Sequence, residues 1–400
     1  MLKWTTLLWI SLINLSAIGQ LEIESNEDLM NYLHGGGNAF TSVLDSTEQH
    51  RVQFIYTRID RNEDDTVLTT FDFSNPEHYF YPASVVKLPT ALVAMEQMKK
   101  HTISMDAYLK IHRDQVCGNM SYIDELDEEQ LTMGKMFREL MIISNNRYYN
   151  AFYQFVTPAK LNKNLKKKGI ENTKIYRSFT GCEMPYNLFC NSLHVTEREK
   201  KTSFLQPSSW FSLMEFAQEY EYDETKLLGS KHEYRGDIVK GPFDFNYHLE
   251  YPLADIHSTL MRLAAPEQFA KTEQWDITES DRNFFLDAMK QIPSDLEDKK
   301  YHDKKKYPDN IFKYLVKGDD NTDYANVVTY SKIGIAYGFV TETAHVVDAE
   351  NNIEFFVTAS IYVNANNIVN DGKYEYDAIA RPFFTKLGQL LVDYERLRKK

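Results

Sequence analysis

Cysteine is nearly missing from this chain. Three residues in 400 cannot build a disulfide scaffold. Glycine and proline are also sparse, at 16 and 12, which excludes collagen-like and low-complexity chains. Positive charge is the minority: 45 Lys and Arg against 58 Asp and Glu leave a net −13 and a pI near 5.4. Nucleic-acid binding needs a basic face to neutralise phosphates, so that class is excluded. The five lysines within 160–168 read as a solvated helix face. There is no H-E-x-x-H, and the 11 histidines show no metal spacing. The acidic run at 319–323 is a loop and not a complete calcium site. No P-loop, dinucleotide fingerprint or G-x-S-x-G elbow occurs, so neither metal nor cofactor is expected.

What the chain has in quantity is aromatic residues, 26 Tyr and 24 Phe, which suit a packed globular protein. It opens with Lys3, an apolar stretch from Trp4 to Ile18, and the small residues Ala17 and Gly19. This order of charged, apolar and small residues predicts a secretory signal peptide, residues 1–19, cut after Gly19. The alternative, a membrane anchor, falls short of the ~20 residues a span needs. No second apolar span follows, so no stable membrane insertion is expected after cleavage. Loss of Lys3 takes the net charge from −13 to −14. The location is then periplasmic or secreted, where disulfides are permitted. Cys182 and Cys190 share one loop and could bridge, leaving Cys117 free, or all three could stay thiols.

Alternating β-formers at 51–59 (RVQFIYTRI) and 66–73 (TVLTTFDF) flank a turn at 61–65 and predict a hairpin. From Ala83 the pattern becomes helical and apolar on most sides. Helices are expected over 131–155, 210–220 and 278–292, the last with a capping-box start at Thr278-Glu279-Ser280-Asp281. Residues 221–257 read as an insertion or long loop, and 298–306 as a solvated charge run. Strands are expected at 327–331, 335–347 and 353–363, and a final helix at 376–400. The fold class is α+β: a five-stranded antiparallel sheet from both chain ends, flanked by helices, plus an all-helical lobe. Residues 20–400 form a single unit. The α/β lobe takes about 20–82 and 325–400, and the helical lobe about 83–324.

Three short clusters carry chemistry. In Ser84-Val85-Val86-Lys87 a spacing of three puts both side chains on one helix face. A serine hydroxyl needs a base to become a nucleophile, and a desolvated lysine can be that base. The helix start adds a free amide where an oxyanion would form. In Ser144-Asn145-Asn146 a second hydroxyl could relay a proton and an amide could hold a substrate carbonyl. In Lys332-Ile333-Gly334 a strand lysine supplies fixed charge, and the glycine permits close backbone approach. Singly, the three read equally well as a helix start, a turn and an edge-strand lysine.

In this order the three resemble the S-x-x-K, S-D-N and K-T-G set of class A β-lactamases and penicillin-binding proteins. Residues 80–95 (FYPASVVKLPTALVAM), 142–153 (IISNNRYYNAFY) and 332–348 (KIGIAYGFVTETAHVVD) resemble the segments around those motifs. The resemblance implies that Ser84 is the acylated nucleophile and Lys87 its base. Ser144 would pass a proton to the leaving group, and Asn146 would position substrate. Lys332 would orient Ser144 and attract a carboxylate. The amides of Ser84 and Ile335, beside Gly334, would form the oxyanion hole.

Two departures stand out. Asn145 replaces an Asp, and Ile333 replaces a hydroxyl residue that helps bind the substrate carboxylate. The E-x-x-x-N spacing of Glu183 and Asn187 makes Glu183 the candidate activator of the deacylating water, with Glu197 and Glu199 as rivals. The expected partner is a small-molecule β-lactam or a peptidoglycan-derived substrate, acted on by a monomer. The alternatives are a D-Ala-D-Ala peptidase or esterase on the same fold, and a catalytically degenerate envelope binding protein.

Overall fold

The structure is a computed structural model that describes residues 23–61, 65–115, 117, 118, 123, 131–199 and 201–398. The expected leader and residues 62–64 of the first turn lie outside the described residues.

Five strands form one antiparallel sheet: β1 (Gln53–Arg61), β2 (Thr66–Asp72), β3 (Val328–Ala336), β4 (Phe339–Asp348) and β5 (Ile353–Tyr362). Their order is β3-β4-β5-β1-β2, so the two chain ends meet where β5 pairs with β1. Strand alternation divides the sheet between two cores. Phe54, Tyr56, Val340 and Phe355 face the helices Asn26–Leu33, Asn38–Leu44 and Arg381–Arg398. Ile55, Ile59, Phe339 and Phe356 face the second lobe, where Leu253–Ala264 lays Ile256 and Leu260 against the sheet. The C-terminal helix buries Phe383, Phe384, Leu387, Leu391 and Tyr394, the face its periodicity predicts.

The helix Lys87–His101, entered through the 3-10 turn Ala83–Val86, is buried without interruption from Lys87 to Glu96. The capping box at Thr278 and Asp281 opens the helix Glu279–Lys290 as expected. Four expectations need correction. The single helix over 131–155 is two, Met133–Ile142 and Asn146–Val156, because Ser144 adopts a left-handed φ of 56° that no helix can continue through. The strand over 335–347 is a tight hairpin: Tyr337 and Gly338 have φ of 54° and 88°, the positive pair a two-residue turn requires. The helix over 210–220 shortens to Leu213–Glu219, because Ser212 caps it and Trp210 pairs with Phe189 as a strand. The second lobe is also not all helical. Tyr108–Ile111, Leu193–Thr196 and Thr202–Gln206 make a small sheet, and the expected loop at 221–257 contains a hairpin, Lys231–Tyr234 with Asp237–Lys240.

The cysteine pairing differs as well. Cys117 and Cys182 form the disulfide, with Cα atoms 5.5 Å apart, while Cys190 is a free thiol. Cys190 sits on a strand with its side chain in the interior, whereas the backbone at Gly118 runs directly against Thr180 and Cys182. Tertiary contact between distant segments, not nearness in sequence, decided the bridge.

Candidate active site

Ser84 lies in the 3-10 turn that opens the Lys87–His101 helix, directly after Ala83, whose φ is 47°. Ala83 and Ser144 are both non-glycine residues in the left-handed region, which costs roughly 1–2 kcal/mol each. Such strain clusters where the chain must aim a functional group.

Gly334 explains how the third motif reaches the first. A Cβ at this position would lie 2.4 Å from Pro82 O, 2.7 Å from Ser84 N and 2.9 Å from Val85 N. The β3 backbone therefore rests directly on the turn that carries Ser84 and opens the Lys87–His101 helix, a separation only glycine permits. Alternation along β3 turns Lys332 and Gly334 to the same side as Ser84. It turns Ile333 into the opposite core, against the C-terminal helix layer.

Lys87 is completely buried. Its Nζ lies 2.5 Å from Ser144 O, 2.6 Å from Asn146 Oδ1 and 3.1 Å from Ser144 Oγ. Lys332, 2% exposed, donates from Nζ to Ser144 Oγ at 2.9 Å and to its neighbour's carbonyl, Ile333 O, at 2.9 Å. Ser144 thus bridges two buried amines. Burial, and then the charge of Lys332, hold the Lys87 amine well below the usual lysine range. Lys332 is pushed down to about 7 by burial and then by the Lys313 charge, against an opposing pull from Glu342. A neutral Lys87 fits its surroundings: two N–H bonds go to Ser144 O and Asn146 Oδ1, and the lone pair remains for a hydroxyl proton. Asn145 caps the following helix, accepting from Arg147 N at 3.0 Å, a structural duty an Asp could equally perform.

These groups border a cleft of about 400 Å³ lined by Ser84, Asn146, Ile335, Arg177, Phe179 and three tyrosines, Tyr81, Tyr337 and Tyr374. Buried Lys332 and half-buried Ser144 are not among the lining residues. Glu183 is not brought in. Its side chain is 67% exposed and meets Arg235 and the Tyr234 hydroxyl, each at 3.5 Å. Of its rivals, Glu197 accepts from Ser104 Oγ at 2.6 Å on the outer surface, and Glu199 is exposed. Among the described residues no carboxylate lines the cleft. Phe179 stands beside Lys87 instead, its ring centroid 5.4 Å from Nζ.

Several cleft residues carried no sequence signal. Arg177 and Phe179 lie in an irregular loop without motif or period. Asn370, Gly372 and Tyr374 complete the rim, and Asn370 donates to Glu233 on the inserted hairpin at 3.1 Å. The hairpin thereby braces the cleft wall, a contact no local pattern announces.

The β-lactamase enzyme family matches this chain over residues 38–215, a span that holds the first two motifs and ends before Lys332. No curated protein sequence matches it. Among solved structures, a β-lactamase from Xanthomonas campestris pv. campestris is 12% identical with a TM-score of 0.50, covering 92% of this chain and 100% of its own. A β-lactamase from Burkholderia ambifaria is 9% identical with a TM-score of 0.49, covering 88% and 98%. The five-stranded sheet with its flanking helices is the fold of the Xanthomonas enzyme. This likeness and the match over residues 38–215 support the β-lactamase/transpeptidase-like reading of the sequence.

Proposed function

We propose that the protein is a secreted or periplasmic active-site serine hydrolase, monomeric once residues 1–19 are removed, that is acylated on Ser84 by β-lactams. The observation that carries this reading is the hydrogen-bonded chain Lys87–Ser144–Lys332, with Lys87 one helical turn after Ser84 and bonded to Asn146, which lines the cleft with Ser84. As Ser84 Oγ attacks the lactam carbonyl carbon, neutral Lys87 takes its proton. The amides of Ser84 and Ile335 stabilise the oxyanion, each contributing on the order of 3 kcal/mol. The C–N bond then breaks, and the leaving nitrogen takes the proton of Ser144 Oγ, which Lys332 or Lys87 replaces. Water finally hydrolyses the ester and regenerates Ser84.

The last step lacks the carboxylate that the sequence suggested. Glu183 faces solvent and, among the described residues, the lining carries no acid, so on this reading deacylation is slow and the acyl-enzyme accumulates. The same observation favours a second reading, a D-Ala-D-Ala peptidase or esterase using the same nucleophile. Ile333, turned into the core, offers no hydroxyl to a penicillin carboxylate, and supports that second reading too.

Mixing with a chromogenic cephalosporin and a penicillin, and reading intact mass and turnover together, tests the proposal. The expected result is an adduct on Ser84 that outlives a turnover of the free substrate, absent in Ser84→Ala. No adduct with several β-lactams would leave the peptidase or esterase reading. No turnover of p-nitrophenyl esters or D-Ala-D-Ala peptides above Ser84→Ala either would leave a binding protein.

A further inference from the structure

Among the described residues that line the cleft, one side chain carries a permanent charge. Arg177 lines the cleft with Ser84 and Asn146, half-buried, and among the described residues no carboxylate pairs with it. Its charge reaches the surrounding groups. His248, buried beside it, is held down to about 3, by burial first and the Arg177 cation second. The Tyr81 and Tyr337 phenols stay protonated through burial. Lys87 and Lys332 are not among the lining residues and have surrendered part of their charge to burial, so neither presents a full cation to a ligand.

The backbone that carries Arg177 is fixed on both sides. Tyr149 Oη donates to Arg177 O at 2.8 Å, Ser178 N to Asn187 Oδ1 at 2.8 Å and Phe179 N to Asn150 Oδ1 at 2.7 Å. Asn187 also donates to Cys182 O at 2.5 Å, and Cys182 is tied to Cys117. These bonds fix the backbone from which the guanidinium extends, and its fork suits bidentate contact with a carboxylate. In a chain of net charge −13, such an isolated cation in a concave site is a local well for an anion.

Resting on the serine-hydrolase reading, we propose that Arg177 selects acyl donors whose acyl portion carries a carboxylate. It lines the same cleft as Asn146 and Ile335, the groups assigned to the acyl carbonyl, whereas Ser144 and Lys332, assigned to the leaving group, are not among the lining residues. Lys332, expected both to orient Ser144 and to attract a carboxylate, donates to Ser144 Oγ and is not among the residues that line the cleft.

The test compares two p-nitrophenyl esters, the neutral butyrate and the anionic glutarate monoester, by nitrophenol release and Ser84 mass shift. The readout is the ratio of their second-order acylation rates, which cancels any general damage to the site. Arg177→Ala should lower the glutarate-to-butyrate ratio by about 10- to 100-fold. Arg177→Lys should recover part of it, and high salt should reduce it in the unmodified protein. A ratio unchanged within about twofold in Arg177→Ala overturns the assignment while Ser84 chemistry stands. If neither ester modifies Ser84, the hydrolase reading fails and this inference falls with it.

Discussion

Gly334→Ala is the smallest perturbation that tests how the site is assembled. The added methyl would meet Pro82 O at 2.4 Å, Ser84 N at 2.7 Å and Val85 N at 2.9 Å. All three are backbone atoms, so no side chain can swing away. Either β3 moves off the sheet edge or the turn carrying Ser84 shifts outward. Relief from 2.4 Å to ordinary contact requires a movement of about 1 Å, and overpacking of this kind costs roughly 1–3 kcal/mol. The same movement separates the Ser84 and Ile335 amides assigned to the oxyanion hole. Misplacement by about 1 Å costs on the order of 10²-fold in rate. Thermal unfolding and the second-order rate of Ser84 labelling by a fluorophosphonate read the two effects separately. Gly35→Ala is the matched control, since nothing lies within 4 Å of its Cβ. Unchanged melting and labelling in Gly334→Ala, as in the control, would refute the close approach and the site geometry built on it.

Lys87→Met removes the assigned base and should slow Ser84 acylation by about 10²–10⁴-fold, measured by stopped-time mass spectrometry. A rate near that of the unmodified protein would mean another group takes the proton. Lys332 is depressed to about 7, below the ~10.4 of an unfolded lysine. Between those values the unfolded chain binds a proton the native state lacks, so rising pH favours the native state; below about 7 both states are protonated and this slope vanishes. The stability advantage of the unmodified protein over Lys332→Met should therefore grow by roughly 1 kcal/mol per pH unit from pH 7 to 9 in urea unfolding, and a flat difference would contradict the depressed amine. Glu183→Gln should leave deacylation within about twofold and stability within about 0.5 kcal/mol, since its carboxylate is exposed and its ion pair with Arg235 is long. A deacylation rate that collapses in this variant would return Glu183 to the catalytic role the sequence suggested.

Much of the fold was legible because it is written in local periodicity. The hairpin of β1 and β2, the buried helix after Ala83 and the amphipathic C-terminal helix each follow from side-chain spacing that the backbone period reads directly. The breaks were less legible. Ser144 ends one helix and precedes another because its φ is positive; its Ser-Asn-Asn triplet is compatible with a turn, but the apolar period runs on through it. Tyr337-Gly338 hides a hairpin inside a β-rich run for the same reason: turn conformation depends on two dihedrals, not on hydropathy.

The candidate site divides along the same line. Sequence by itself picked out the candidate residues that share one element: Ser84 with Lys87 on one helical turn, Ser144 with Asn146, and Lys332 with Gly334 on one strand face. Only the tertiary structure decided what is set by distance across the fold. It joined Ser144 to both lysines, buried them deeply enough to shift their proton affinities and turned Ile333 away into the other core. It also sent Glu183 to the surface, paired Cys117 with Cys182 across 65 residues and brought Arg177 to the cleft. The physical reason is that burial and electrostatics depend on which surfaces meet in three dimensions, while periodicity records only which surfaces are apolar enough to meet something.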